Sequence, residues 1–92
     1  MSKSIYKYSV AIDGTDHYID LPPESAVVHV DVQTAPYAQV TFWAEVSLPA
    51  DTDVTRVFRV FGTGYEIPDD YEYVGTTLGD RPLVWHLFER KS

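Results

Sequence analysis

The sequence contains no cysteine, which excludes a disulfide framework and a metal site built from thiolate ligands. It also lacks an apolar run of the roughly 20 residues that a transmembrane helix needs. The first ten residues, MSKSIYKYSV, lack the apolar segment of a secretory signal. We therefore expect a cytosolic protein with no membrane partner.

Basic residues are scarce, because seven lysines and arginines stand against 14 acids and the formal net charge is −7. Nucleic acids are bound through lysine and arginine contacts to phosphate, so a nucleic acid is an unfavourable partner. The acidity fits solubility, a basic partner, or imitation of the charge of a nucleic acid.

Aromatic residues are plentiful: 14% of the 92 residues are aromatic, including seven tyrosines. Each aromatic side chain can bury about 150–250 Å², so even this short chain can form a dense core. We predict a single domain over residues 1–92.

Apolar and polar residues alternate along most of the chain and do not recur with helical spacing over three turns. In 26–34, Val28, Val30 and Val32 are predicted to share one face. The pattern predicts an all-β fold, either a small antiparallel β-sandwich or a partly closed barrel of about seven strands. The predicted strands are 5–12, 17–21, 26–34, 39–48, 54–61, 71–76 and 83–89.

Turn residues separate these strands. Asp13-Gly14 is a strong hairpin signal, so strand 17–21 is predicted to return antiparallel to the first strand. Further breaks are predicted at Ala35-Pro36-Tyr37 and at 78–82. Residues 22–25 and 68–71 are each compatible with a short helical turn, because each begins with proline.

The strand at 54–61 is strongly apolar and is predicted to be covered on much of both faces. Gly62 and Gly64, separated by Thr63, end it. Their backbone amides could cradle an anion. A phosphate loop, however, has a longer glycine pattern that leads into a helix, so a structural turn or bulge is favoured.

Arg56 and Arg59 are three residues apart on this strand and must lie on opposite faces. If Phe58 faces the core, Arg59 lies on the outer face among apolar residues. That position suits an interface or a bound anion. The favoured alternative is an arginine paired with a nearby carboxylate such as Glu45 or Glu72.

The three histidines, His17, His29 and His86, are too dispersed to indicate a metal site. His86 lies in an apolar strand and is expected to be partly buried with a hydrogen-bond partner. Adjacent Asp69 and Asp70 suit a solvated loop better than acid–base chemistry. No nucleophile motif such as G-x-S-x-G is present. We therefore predict no metal, no cofactor and no enzymatic activity.

Exposed aromatics are the main functional signal. Trp43 lies on the polar face of its strand, and several tyrosines lie in or beside loops. Trp, Tyr and Arg dominate the energetics of protein interfaces, so a protein partner is expected. Cover of Trp43 by a second sheet or by a homodimer is the alternative. The candidate binding residues are Trp43, Arg59, Gly62, Thr63, Gly64, Tyr65 and Tyr73.

Several short segments together resemble a family of short proteins of unknown function encoded by bacteriophages and prophages, especially of actinobacteria. They are IYKY (5–8), LP (21–22), WA (43–44), FRVFGTG (58–64), IP (67–68), YVGT (73–76) and VWHLFE (84–89). The resemblance implies a phage-encoded accessory protein that acts inside the bacterial cell. It brings no catalytic residue.

We expect a non-enzymatic phage protein that binds a host or defence protein in the host bacterial cytoplasm. One alternative is a binder of a small ligand such as a nucleotide, held by Arg59 and stacked on Trp43 or Tyr65. Another is a structural component of the virion or of its assembly.

Overall fold

Residues 1–34, 37–79 and 83–91 are described by a computed structural model, and within them the chain forms seven β-strands and no helix. No helix in these ranges is long and apolar enough to cross a membrane. The strands are β1 (Ser2–Ala11), β2 (His17–Leu21), β3 (Ala26–Gln33), β4 (Gln39–Leu48), β5 (Val54–Gly62), β6 (Tyr71–Leu78) and β7 (Val84–Arg90).

The strands form two antiparallel sheets that pack face to face. The three-stranded sheet has the order β1-β4-β3, and the four-stranded sheet has the order β2-β5-β7-β6. The predicted all-β class is therefore confirmed as a small sandwich. The barrel alternative is wrong, because the two sheets do not close on each other.

The hairpin predicted at Asp13-Gly14 is wrong. β1 pairs with β4 over all ten of its residues, and β2 pairs with β5 in the other sheet. Gly14, with a φ of 72°, still makes a sharp bend, but the bend carries the chain from one sheet to the other. In this position β2 turns Ile19 and Leu21 towards the interior between the sheets.

The core forms where β4 and β5 face each other. The rings of Phe42 and Phe58, one from each sheet, lie 4.7 Å apart between centroids, and both side chains are fully buried. Val40 and Ala44 lie on the same face of β4 as Phe42 and are also fully buried. The predicted alternation of β4 is thereby confirmed.

A β-bulge interrupts β3 at Val28. The pairing with β4 shifts between Val27 and His29, and Val28 is exposed. Val27 and Val30 pack against the core instead. The prediction that Val28 shares a face with Val30 and Val32 is wrong, because one extra residue in a bulge reverses the alternation.

Segments 22–25 and 68–71 form turns rather than helical turns. Tyr37 of the predicted break lies in a bend before β4. Ala35 and Pro36 of that break and residues 80–82 of the predicted last turn lie outside the described residues.

Strand β5 is one of the two inner strands of the four-stranded sheet, and much of it is covered on both faces, as predicted. Phe58 and Val60 point into the sandwich, while Phe61 is buried on the outer face. β5 and β6 are both antiparallel to β7 and therefore run in the same direction. Residues 63–70 therefore return from the end of β5 to the start of β6 at the opposite end of the sheet.

Candidate functional site

Four polar side chains meet on the outer side of the four-stranded sheet; we call Asp16, Arg59, Tyr71 and Arg90 the Asp16 cluster. Nε of Arg59 donates to Oδ1 of Asp16 at 2.9 Å, and Nη1 of Arg90 donates to Oδ2 at 2.9 Å. The hydroxyl of Tyr71 donates to Oδ1 at 2.5 Å. The carboxylate is mostly buried, and both of its oxygens are bonded.

The hydrogen bond from Tyr71 lowers the pKa of Asp16, with a further contribution from Arg59. Burial, together with the bond to Asp16, raises the pKa of Tyr71. At neutral pH the cluster therefore holds an ionised carboxylate, a neutral phenol and two guanidinium groups. Its two positive charges against one negative charge make it locally basic in a chain whose formal charge is −7.

Aromatic rings surround the two arginines. The guanidinium carbon of Arg59 lies 5.3 Å from the ring centroid of Tyr71 and 5.7 Å from that of Phe61. The guanidinium carbon of Arg90 lies 5.9 Å from the centroid of Tyr18. At these distances each cation is attracted to a ring face, so both arginines are held in defined positions.

The aromatic surface extends from the cluster across β7 to β6. Phe88 packs edge-to-face against Phe61 and Tyr73, with centroids 5.4 and 5.6 Å apart. Tyr18 is 64% exposed and Tyr73 is 61% exposed. Two exposed tyrosines thus stand on a fixed layer of rings and arginines.

His86 connects the glycine turn to this surface. Its Nε2 lies 2.9 Å from Oγ1 of Thr63, and its Nδ1 lies 3.0 Å from Oγ1 of Thr76. The hydroxyl of Tyr73 bonds the same Thr76 oxygen at 2.7 Å. The prediction of a partly buried histidine with a hydrogen-bond partner is confirmed.

The glycine turn is a tight turn. The N–H of Tyr65 donates to the carbonyl of Gly62 at 3.2 Å, and Gly64 has a φ of 90°. A positive φ at this position is what a type II turn requires. The geometry supports the structural interpretation of the glycine pair.

A cavity of about 460 Å³ lies beside the end of β5, between the glycine turn and the bend at Asp13-Gly14. It has an apolar wall and carboxylates in its lining. Its lining consists of Ile12, Asp13, Gly14, Val60, Phe61, Gly62, Tyr65, Glu66 and Trp85, with Arg59 at the side of the Asp16 cluster.

Residues 1–92 match the domain of unknown function DUF7352. The chain belongs to the DUF7352 family. No curated protein and no solved structure matches it.

The structure brings some of the predicted site residues of this DUF7352 domain together and separates others. Arg59, Gly62 and Tyr65 all line the cavity. Thr63 and Gly64 lie in the adjoining turn, and Tyr73 lies on the outer aromatic surface.

Trp43 lies elsewhere, on the outer face of the three-stranded sheet. It is half-buried, pairs in register with Lys7 and His29, and has its ring centroid 5.5 Å from that of His29. The second sheet therefore does not cover Trp43. A ligand held by Arg59 cannot stack on it, because the full thickness of the sandwich lies between them.

Arg59 pairs with a carboxylate, as predicted, but with Asp16 and not with Glu45 or Glu72. Glu45 lies on the other sheet and pairs with Lys3 at 3.2 Å, and Asp16 takes the place suggested for Glu72. Sequence reasoning missed Asp16 and Arg90 because they are 74 residues apart and no local pattern joins them. The only available signal was that an arginine on an apolar strand needs a carboxylate.

In the part of the DUF7352 domain that the structure describes, no group of three or more histidine, aspartate or glutamate side chains is placed to hold a metal ion.

Proposed function

We propose that this DUF7352 domain is a non-enzymatic binding module that engages a protein partner through the outer aromatic surface of its four-stranded sheet. The observation that carries the proposal is the pair of exposed tyrosines, Tyr18 and Tyr73, beside the Asp16 cluster. We further propose that the protein is phage-encoded and binds a host or defence protein in the bacterial cytoplasm. That part depends on the sequence resemblance alone.

The physical argument is preorganisation. Tyrosine and arginine supply most hot spots of protein interfaces, and each long side chain that must be ordered on binding costs about 0.5–1.5 kcal/mol. Arg59 and Arg90 are already fixed by Asp16 and by the rings beneath them. A partner therefore meets a surface whose arginines lose little further freedom.

A nucleotide is a less suitable ligand. The cavity has the volume of a small-molecule site, and Arg59 and Tyr65 line it. The charge of Arg59 is compensated by Asp16, however, and Asp13 and Glu66 also face the cavity. Phosphate would be repelled by these carboxylates.

The test is quantitative capture from a lysate of host bacteria on the immobilised chain. We expect one host protein to be enriched, and the double variant Tyr18→Ala/Tyr73→Ala to lower its capture at least tenfold, which corresponds to about 1.4 kcal/mol.

The matched control is Tyr37→Ala, because Tyr37 is 65% exposed but lies between β3 and β4, away from the aromatic surface. Capture should be unchanged in this variant. Equal capture by the double variant, or recovery of the chain alone, would contradict the proposal.

A further inference from the structure

Strand β5 has an edge that β2 does not cover. β2 pairs with β5 only along Val54 to Phe58, where the last pair is His17 with Phe58. β5 continues for four more residues, 59–62, which pair with β7 on the other side. The chain before β2 turns away at this point to reach the other sheet.

The backbone of this edge is available for hydrogen bonding. Alternate residues of an antiparallel strand direct their N–H and C=O groups to the same side, so two of the residues 59–62 direct theirs away from β7. Among the described residues, no backbone hydrogen bond joins 12–16 to 59–61. Apart from the Gly62 carbonyl, which accepts the N–H of Tyr65, the backbone groups of 59–62 that point away from β7 therefore have no backbone partner in 12–16. An open strand edge of this kind is a template for another strand.

The cavity lies along the uncovered part of β5, and we call it the strand slot. All four residues 59–62, which span about 13 Å as a β-strand, line this cavity of about 460 Å³, together with Asp13 and Gly14 of the bend. Ile12, Val60 and Trp85 form the wall on the interior side of the sheet. Glu66, in segment 63–70, also lines the cavity.

The charge of the slot selects its occupant. Asp13 accepts a hydrogen bond from His17 at 2.9 Å, which lowers the pKa of Asp13 to about 2, so its carboxylate is ionised at neutral pH. Glu66 is exposed and takes part in no ion pair within the described ranges. The cation at the slot, Arg59, is already paired with Asp16. A positively charged side chain is therefore favoured and an acidic one is repelled.

We propose that residues 59–62 of β5 bind an extended peptide segment of the protein partner, with alternating apolar and basic side chains. The segment adds a strand to the open edge, its apolar side chains contact Ile12 and Trp85, and a lysine or arginine faces Glu66. This is β-strand addition, in which main-chain bonds give affinity and alternate side chains give specificity. The inference deepens the proposed protein-binding function and depends on it.

The probe is a yeast-displayed library of random octapeptides selected on the full chain. We expect enriched sequences to alternate apolar residues with lysine or arginine. With a saturating synthetic copy of an enriched peptide, hydrogen exchange of at least one amide within 59–62 should slow tenfold or more. Methylation of a peptide N–H that pairs with β5 should weaken binding at least tenfold, whereas methylation of the next N–H should not.

Glu66→Lys should weaken the peptide at least tenfold. Glu72→Lys, which makes the same charge change on β6 at the other end of the sheet, should change affinity less than twofold. Equal effects of the two variants, unchanged exchange at 59–62, or a library without an enriched binder would overturn the inference. A dimer of this chain in which the amides of 59–62 are protected from hydrogen exchange would also overturn the inference, because a second copy would then occupy the slot.

The two proposals can fail separately. Capture of a host protein that depends on Tyr18 and Tyr73 but is unchanged in Glu66→Lys would leave the proposed function standing and would overturn the strand slot. A library without a binder combined with recovery of the chain alone from lysate would overturn both.

Discussion

Arg59 and Asp16 are joined across 43 residues of sequence by a hydrogen bond of 2.9 Å from Nε to Oδ1. The same carboxylate also accepts bonds from Arg90 and Tyr71. One aspartate therefore ties the segment before β2 to β5, β6 and β7 and pairs with two guanidinium groups on the outer surface.

We predict that Asp16→Asn destabilises the domain by about 2 kcal/mol, because the amide keeps the shape but removes the charge that Arg59 and Arg90 face. Urea denaturation at pH 7 measures the change. Asp51→Asn is the control, since Asp51 is exposed in the loop before β5, and it should change stability by less than about 0.5 kcal/mol. Equal stability of the two variants would show that the cluster does not stabilise the fold.

A second prediction concerns acid pH. The pKa values of Asp16 and Asp13 are lowered by folding, that of Asp13 to about 2 by its bonds from His17 and Thr15. A carboxylate with a lowered pKa contributes stability that is complete above its unfolded pKa of about 3.9 and is lost as pH falls through the folded value. We expect the domain to lose stability between about pH 4 and pH 2.

The Asp13→Asn variant tests this assignment. Its stability deficit should be largest near pH 5, where the carboxylate is ionised, shrink below about pH 4 and approach zero near pH 2. Urea midpoints at several pH values, compared with those of the wild-type chain, measure the deficit. A deficit that stays constant from pH 7 to pH 2 would contradict the proton linkage.

Much of the fold could be predicted because the alternation of apolar and polar residues along a strand is a local property of the sequence. The faces of β4 and the position of Arg59 on the outer side of β5 both follow from the two-residue period. The partner of β2 could not be predicted, because the Asp13-Gly14 bend is compatible with either sheet. The choice is made by long-range pairing: β2 pairs with β5 in the other sheet, although β1 is an edge strand with β4 on one side.

The candidate site was predicted less completely. Local sequence indicated the glycine turn and the exposed aromatics, but Trp43 and Arg59 belong to opposite outer faces of the sandwich. Nothing in the sequence related Asp16 to Tyr71, which are 55 residues apart, so the cluster that organises the surface was missed. Such sites depend on which strands pair across long sequence distances, and that pairing is known only once the strand order is known.

A third prediction concerns Gly75, which lies beside a bulge in β6 that shifts the pairing between Tyr73 and Gly75. A Cβ added at Gly75 would lie 2.6 Å from Cγ2 of Val30 on β3. Gly75→Ala should therefore destabilise the domain by about 1–3 kcal/mol through steric overlap.

Val30→Ala removes the obstructing methyl groups. In the Val30→Ala background, Gly75→Ala should destabilise the domain by less than half as much as it does in the wild-type background. Thermal or urea denaturation of the four chains measures this coupling. Strictly additive costs would mean that β6 and β3 do not make this contact.

The last prediction concerns Arg56 and Glu89, which close one end of the sandwich. Arg56 donates from Nε and Nη2 to the two carboxylate oxygens at 2.6 and 2.7 Å, and from Nη1 to the carbonyl of Ser25 at 2.6 Å. The two side chains are only 22% and 24% exposed. Such a bidentate, shielded pair should show a coupling of about 1–3 kcal/mol in a double-mutant cycle of Arg56→Met and Glu89→Gln.

The Lys3–Glu45 pair provides the matched comparison, because its nitrogen–oxygen distance is 3.2 Å and its side chains are 68% and 43% exposed. A cycle of Lys3→Met and Glu45→Gln should give less than about 1 kcal/mol, and 1 M salt should reduce it proportionally more than the Arg56–Glu89 coupling. Equal couplings in the two cycles would show that burial and bidentate geometry add nothing at this end of the sandwich.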